Sequence, residues 1–94
     1  MEITKHAYKR AKERLSFNKS ALINSLNKAI DMNIHHGKTK GNLHKWISAQ
    51  ILKHKIKLKV LCYSDFMLLH DGEAVVTIYK IPSNMTPIKK YIKA

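Results

Sequence analysis

The chain has 94 residues, with 18 Lys and Arg against 6 Asp and Glu, which gives a formal charge of +12 at pH 7. This length fits one domain, predicted over residues 1–94, and the 45% hydrophobic content with only 3 Gly and 2 Pro excludes a disordered polycation. The sequence shows no membrane-spanning run, no secretory leader and a single cysteine, Cys62, so we expect a cytoplasmic protein without membrane contact or disulfides.

The positive charge comes almost entirely from lysine. Arg10 and Arg14 are the only arginines, and the other 16 basic residues are lysines. An AT-rich codon usage accounts for part of this lysine content, but the acidic residues have not risen with it. The remaining excess favours an anionic partner, with nucleic acid first, over lysines that merely solvate the surface.

Two helices are predicted first along the chain. Ala7, Ala11 and Leu15 recur every four residues after Thr4, a residue type that caps helix N-termini, so the first helix is predicted over about residues 4–15. Asn18 supplies a second cap, and apolar residues repeat at four-residue steps as far as about residue 33. The second helix is therefore predicted over about residues 18–33.

A basic loop and a third helix are predicted next. Residues 38–42 are polar and cationic, which predicts a mobile loop whose Lys38 and Lys40 contact nucleic acid. Asn42 is the expected cap of a helix over about residues 42–54. Its buried face is predicted to hold Leu43, Trp46, Ile47, Gln50 and Ile51.

The period then changes to two, which is typical of strands. Strands are predicted over about residues 55–63, 66–70 and 73–81, with Asp71-Gly72 as a hairpin turn between the last two. In the first strand, alternation places Lys55, Lys57 and Lys59 on an outer cationic face. Residues 83–94 are predicted to form a basic tail, with a short edge element as the alternative.

These elements predict an α+β fold with the N-terminal helices packed on one face of a small C-terminal antiparallel sheet. The other face would then be open and would carry the three strand lysines, Lys55, Lys57 and Lys59. We assign Thr77 and Tyr79 to this open face and Val76 and Ile78 to the core, because the first pair is the more polar.

The first helix carries the residues best suited to chemistry. His6, Arg10 and Arg14 are spaced by four, so they form one stripe on the helix surface. Arginine in a lysine-rich chain suggests planar, bidentate recognition of phosphate or carboxylate. The alternative is that the arginines form ordinary surface pairs with Glu13 or Glu2.

A histidine beside arginines suits RNA cleavage without a metal. A neutral imidazole at His6 can accept the ribose 2′-hydroxyl proton, while Arg10 and Arg14 stabilise the negative charge of the transition state. Tyr79 can protonate the leaving group and Thr77 can contact phosphate, although any exposed strand also favours these two residue types.

The other histidines and Cys62 favour structural interpretations. His35 and His36 lie at a helix end, where imidazoles interact well with the helix dipole. The sequence has no cysteine pair, no HExxH motif and only scattered acids, so we expect no metal and no cofactor. Cys62 and Trp46 are predicted to be core residues.

The two ends of the chain resemble a known group of proteins. Thr4-Lys5-His6-Ala7 followed by Arg10 and Arg14, together with Val76-Thr77-Ile78-Tyr79, is similar to small RelE/BrnT-like toxin domains of the barnase/EndoU/colicin/RelE-like ribonuclease superfold. The resemblance covers roughly residues 3–15 and 73–82. It implies that His6, Arg10, Arg14, Thr77 and Tyr79 occupy active-site positions, and that the chain comes from a phage or mobile element.

Two functions from different classes remain open at this stage. The first is a basic RNA-binding protein, RNA being preferred to DNA, with metal-independent endoribonuclease activity as its further candidate property. The second is a non-catalytic phage or mobile-element protein that binds nucleic acid or a host protein, as an inhibitor or adaptor. An acidic protein partner, such as an antitoxin, fits the same charge.

Overall fold

A computed structural model describes residues 1–93 and confirms the α+β class. Three helices come first: α1 (Lys5–Leu15), α2 (Lys19–Met32) and α3 (Gly41–Leu52). Four strands make the sheet: β1 (Glu2–Ile3), β2 (Lys59–Tyr63), β3 (Phe66–His70) and β4 (Ala74–Lys80). Short 3₁₀ turns occupy His36–Lys38, Ser83–Met85 and Ile88–Tyr91.

Side-chain caps start the first two helices as the sequence predicts. The Thr4 side chain accepts a hydrogen bond from the backbone N–H of Ala7, and the Asn18 side chain accepts one from Ala21. The cap predicted at Asn42 is wrong, because α3 already begins at Gly41. Its N-cap residue, Lys40, makes no side-chain hydrogen bond to the helix.

The sheet has four strands in the order β1-β4-β3-β2, so the three-strand prediction is one strand short. The meander of β2, β3 and β4 is antiparallel as expected, whereas β1 pairs parallel with β4 at Ala74 and Val75. With only two residues, β1 is too short for any periodicity to show in the sequence. The strand predicted from residue 55 begins at Lys59, so Lys55 and Lys57 lie in the connection before it.

Both faces of the sheet are covered, so the open face predicted from the sequence is wrong. On one face α1 and α2 pack through Ala7, Ala11 and Leu22 against Leu68 and Ile78. The opposite face packs against α3 and the C-terminal segment, in a cluster that includes Leu43, Ile47, Val60, Met67, Leu69 and Ile88. Strand β3 is buried at all five positions, as strands covered on both faces are. Its largely apolar run is the sequence feature that indicates this coverage.

A β-bulge in β4 explains the misplacement of one side chain. Leu69 pairs with Thr77 while its neighbour His70 pairs with Val75, so Val76 is the extra residue. Val76 therefore packs on the α3 side together with Tyr79, and Val75 joins Ile78 on the other face. Strict alternation had placed Val76 beside Ile78, so that assignment is wrong.

The C-terminal segment packs against the protein, in contrast to the predicted basic tail. Ile88 is 7% exposed within the second cluster, and the segment runs back past the loop predicted to be mobile. There the backbone N–H of Lys40 donates to Tyr91 at 2.7 Å, and that of Lys93 donates to Lys38 at 2.8 Å. These bonds tie the basic loop in place.

Candidate functional site

Helix α1 closes the outer edge of β4. Beyond Val75 the pairing of β4 with β1 ends. From there on, carbonyl groups of β4 accept hydrogen bonds from side chains of the α1 segment. The Thr4 hydroxyl donates to Val76 O at 3.3 Å, and Arg14 Nη1 donates to Ile78 O at 2.7 Å. Arg14, which the sequence predicts to bind phosphate, thus donates a hydrogen bond to a backbone carbonyl instead.

Arg14 is one of three side chains that contact Tyr79. Its guanidinium carbon lies 4.5 Å from the centroid of the Tyr79 ring, at cation–π distance. His54 Nε2 lies 3.2 Å from the Tyr79 hydroxyl, and the Trp46 ring meets Tyr79 edge-on at 6.5 Å. We call Arg14, His54 and Tyr79 the tyrosine cluster; it links α1 to α3 around the edge of β4.

The other predicted catalytic residues stay outside this cluster. His6 is exposed and makes no side-chain hydrogen bond within residues 1–93. Arg10 Nη1 pairs with Glu13 Oε2 at 2.8 Å, as the structural alternative expects, while its buried Nε lacks a partner within the same range. Thr77 is only 2% exposed, which removes its hydroxyl from any surface. The structure therefore brings together Arg14 and Tyr79 alone, and adds His54.

Lysines are the largest group of free charges on the surface. All 16 are exposed, including the five predicted to contact nucleic acid: Lys38, Lys40, Lys55, Lys57 and Lys59. Over the described residues, the Arg10–Glu13 pair is the one ion pair within 4.0 Å. The lysines are consequently not neutralised by carboxylates of this chain.

A cleft that the sequence analysis missed lies between β2 and the 3₁₀ turn His36–Lys38. It has a volume of about 410 Å³, and its lining includes His35, His36, Lys59, Val60 and His70. We call it the histidine cleft. A second depression of about 380 Å³ adjoins it and shares His36, and its rim includes Lys57. The consecutive residues His35 and His36 are the sequence feature that points to it, but the bridge between Ile34 and Cys62 that places them beside β2 is not visible in the sequence.

Hydrogen bonds fix the tautomer of each histidine that lines the cleft. His35 Nδ1 accepts from the Gly37 N–H at 3.1 Å and His70 Nδ1 accepts from the Gly72 N–H at 3.2 Å, so in the neutral rings Nε2 carries the proton. The Ser48 hydroxyl donates to the backbone of its own helix at 2.9 Å. His36 Nε2 therefore donates to Ser48 Oγ, at 2.9 Å.

Two of these histidines resist protonation. Burial lowers the pKa of His36, and so does the neighbouring His44, whose ring stacks on it at a centroid distance of 4.0 Å. Burial also lowers the pKa of His70, with a further contribution from Lys59. Both shifts favour the neutral form of His36 and His70, which line the cleft together with Lys59.

Across residues 1–93, no three His, Cys, Asp or Glu side chains are grouped closely enough to hold a metal ion. None of the helices in that range has the length and apolar character needed to cross a bilayer.

Comparisons with protein-family models, with curated proteins and with solved structures found no match to this chain. The resemblance to RelE/BrnT-like domains accordingly stays a prediction that these comparisons leave untested.

Proposed function

We propose that this chain is a basic RNA-binding protein. The observation that carries the proposal is the set of 16 exposed lysines, none of which pairs with a carboxylate within residues 1–93. Lysines without carboxylate partners contact phosphates and release condensed counterions, which is the main source of affinity for a polyanion. RNA is preferred to DNA because the resemblance points to ribonuclease folds.

The proposed RNA surface surrounds the histidine cleft. Lys59 lines the cleft and Lys57 lines the adjoining depression, while Lys38 is the last residue of the turn on the other side of the cleft. Lys55 and Lys40 continue these two segments along the chain. The five predicted nucleic-acid residues thus belong to the two chain segments that border one concave region.

Fluorescence anisotropy with a labelled single-stranded RNA tests the proposal. For a single strand, log K should fall linearly with log salt concentration, with a slope of about −0.7 for each phosphate neutralised. The matching DNA strand should bind more weakly. Undetectable binding at about 50 mM salt would contradict the proposal and favour the acidic protein partner instead, which a stoichiometric complex with an acidic protein would reveal.

Matched charge variants locate the surface. Lys55→Gln, Lys57→Gln and Lys59→Gln combined remove three charges beside the cleft, and Lys5→Gln, Lys9→Gln and Lys12→Gln remove three from α1. The first variant should reduce the salt slope by about two units, and the second should leave most of it intact. Equal losses in both would contradict a localised site.

The tyrosine cluster favours a second candidate function, metal-independent RNA cleavage. His54 can accept the proton of a ribose 2′-hydroxyl, whose oxygen then attacks the neighbouring phosphorus. The 5′-oxygen leaves with a proton from Tyr79, and the products are a 2′,3′-cyclic phosphate and a free 5′-hydroxyl. Arg14 keeps guanidinium N–H groups besides the one bound to Ile78, and these can stabilise the phosphorane-like charge.

A nuclease assay with EDTA tests this candidate. Cleavage by the wild type that His54→Ala abolishes and His6→Ala leaves unchanged would support the tyrosine cluster as the site. The reverse result would restore the sequence prediction that His6 is the base. If RNA binds and stays intact under all these conditions, binding without catalysis is the function.

A cytoplasmic location fits this proposal. Cys62 is fully buried, and burial raises the pKa of its thiol to about 12, so it is a packing residue. The sequence contains no other cysteine, so no disulfide within this chain requires an oxidising compartment.

A further inference from the structure

Two aliphatic side chains near the C-terminal end of α3 are exposed to solvent. Leu52, the last residue of α3, is 84% exposed and is the most exposed large apolar side chain within residues 1–93. Ile56, in the connection between α3 and β2, is 56% exposed. The sequence pattern predicts a strand at this position, with Ile56 on its buried face. It is exposed because β2 begins only at Lys59.

Lysines alternate with these aliphatic side chains along the connection. Three of them are exposed: Lys53, Lys55 and Lys57. No acidic residue occurs in the sequence between Asp31 and Asp65. Lys53 Nζ donates to Oε1 of Gln50 at 3.0 Å, and a neutral amide leaves the charge of the lysine uncompensated.

The apolar and charged groups share one side of the molecule. Leu52 and Lys57 both line the depression of about 380 Å³ beside the histidine cleft, and Ile51 and Leu58 supply apolar wall. Ile56 directly precedes Lys57 in the chain. We call Leu52, Ile56 and the three lysines of the connection the amphipathic patch.

The composition of the amphipathic patch indicates what it binds. A second copy of this chain would bring another charge of +12 against it, and protein interfaces are depleted in lysine and centred on aromatic anchors. RNA phosphates would pair with the lysines, but the patch contains no aromatic ring on which a base stacks. An anionic bilayer suits both components, because aliphatic side chains enter the boundary of the acyl chains while lysines extend to the lipid phosphates.

We propose that the amphipathic patch docks this chain on the surface of an anionic phospholipid bilayer, with Leu52 and Ile56 inserted among the lipid headgroups. The contact is peripheral and requires no membrane-spanning helix. It departs from the sequence expectation of no membrane contact, because that expectation rests on apolar runs, and the exposure of single side chains is not visible in a sequence. The inference does not depend on RNA binding, although the two ligands would share Lys55 and Lys57.

Cosedimentation with lipid vesicles tests the proposal. The full chain is mixed with phosphatidylcholine vesicles that contain about one third phosphatidylglycerol, and separately with vesicles of phosphatidylcholine alone. The anionic vesicles should bind about 100-fold more tightly, because each of three lysines near an anionic surface contributes about fivefold. Binding should weaken as the salt concentration rises, since salt screens exposed charges.

Matched variants separate insertion from attraction by charge. Leu52→Gln and Ile56→Gln combined remove the two aliphatic side chains and keep every charge, so binding to the anionic vesicles should weaken about tenfold or more with an unchanged salt dependence. Ile23→Gln and Ile30→Gln remove two exposed aliphatic side chains of α2 and should leave binding unchanged. Thermal melting shows whether each variant is folded.

A fluorescent label reports the insertion directly. Cys62 is buried and its thiol pKa is raised to about 12, so an introduced surface cysteine reacts selectively. An environment-sensitive label on Leu52→Cys should shift its emission to shorter wavelength with anionic vesicles and not with neutral ones. The same label on Ile30→Cys should not shift. Equal shifts at both positions would overturn the assignment to the amphipathic patch.

The outcomes also separate this inference from the proposed function. A chain that binds RNA but no vesicles would overturn membrane docking and leave RNA binding intact, and the reverse result would leave membrane docking intact. Equal vesicle binding by the wild type and by the combined Leu52→Gln and Ile56→Gln variant would overturn insertion. A complex with an acidic protein that this variant abolishes, without vesicle binding, would assign the patch to a protein partner instead.

Discussion

The free edges of β4 and β2 are covered in different ways. Along β4 the free carbonyls accept from Thr4 and Arg14, so that α1 takes the place of a neighbouring strand. Along β2 the N–H of Cys62 donates to the backbone of Ile34, and the strand lies beside the histidine cleft although Val60 itself is 2% exposed. One edge is thus covered by side chains of the α1 segment, and the other by a main-chain bridge next to a cleft.

This difference shows how polar residues divide between stability and recognition. Arg14, selected from the sequence as a phosphate ligand, is engaged by a β4 carbonyl and by the Tyr79 ring. His35 follows the end of α2, as the sequence predicts, and it also lines the histidine cleft. A residue type suggests chemistry, but the strand edge it meets decides whether a ligand can reach it.

The largest effect is expected from proline on β2. Leu61→Pro removes an N–H that points toward β3 together with a buried side chain, and should cost about 3 kcal/mol or more, enough to unfold much of the protein. Val60→Pro also removes a buried side chain, but the N–H that it removes points outward, so it should cost less, about 1–2 kcal/mol. Urea titration followed by circular dichroism measures both. Equal losses would contradict the outward direction of the Val60 N–H.

Loss of the hydrogen bond from Arg14 to the edge of β4 should have the next largest effect. Arg14→Met keeps a flexible apolar stem but removes the donor to Ile78, and should lower the free energy of unfolding by about 2 kcal/mol, the usual contribution of a hydrogen bond from a charged group. The matched variant Arg10→Met disrupts only a surface pair and should cost less than about 1 kcal/mol. If Arg14→Met abolished RNA cleavage with full stability, its role would be catalytic.

Acidification should destabilise the side of the molecule that carries the cleft. The folded protein holds the pKa of His36 and of His70 below 6.5, so the unfolded chain binds more protons in that range. Above pH 6.5 these two histidines do not reduce the free energy of unfolding. That free energy falls as the pH drops below 6.5 and through the lowered pKa values. Melting temperatures across pH 5 to 7.5 should show this decline, and His36→Gln should flatten it. An unchanged melting temperature would contradict the pKa directions.

Single exposed lysines should have the smallest effect on stability. Lys57→Ala and Lys9→Ala remove one exposed charge each and should change the free energy of unfolding by less than about 0.5 kcal/mol. They should differ in RNA binding, because Lys57 borders the cleft region and Lys9 lies on α1. Loss of more than about 1 kcal/mol in either would show that the lysine packs or pairs within the fold.

Local sequence signals predicted the parts of the fold that depend on neighbours in the chain. The caps at Thr4 and Asn18 and the antiparallel order of three strands follow from residue type and period, and they are confirmed. The buried face of α3 is confirmed as well, with Leu43 and Ile47 fully buried. Each of these features needs only a few consecutive residues to specify it.

Features that depend on distant pairing were not predictable in this way. The strand β1 exists because Glu2 and Ile3 meet β4 more than 70 residues later, and the bulge at Val76 breaks the alternation that placed its side chain. Of the candidate site, the sequence identified Arg14 and Tyr79 but not His54, because nothing in the local pattern places residue 54 against residue 79. The histidine cleft likewise needs the contact between Ile34 and Cys62.

The burial of Cys62 makes its thiol a reporter for the outer edge of β2. Its backbone is the point at which Ile34 holds β2, and its thiol, 0% exposed and with a pKa raised to about 12, does not react while that contact persists. An alkylating reagent therefore modifies this chain only at the rate at which the Ile34 segment detaches or the protein unfolds. The alkylation rate of this one thiol therefore measures how often the outer edge of β2 becomes exposed.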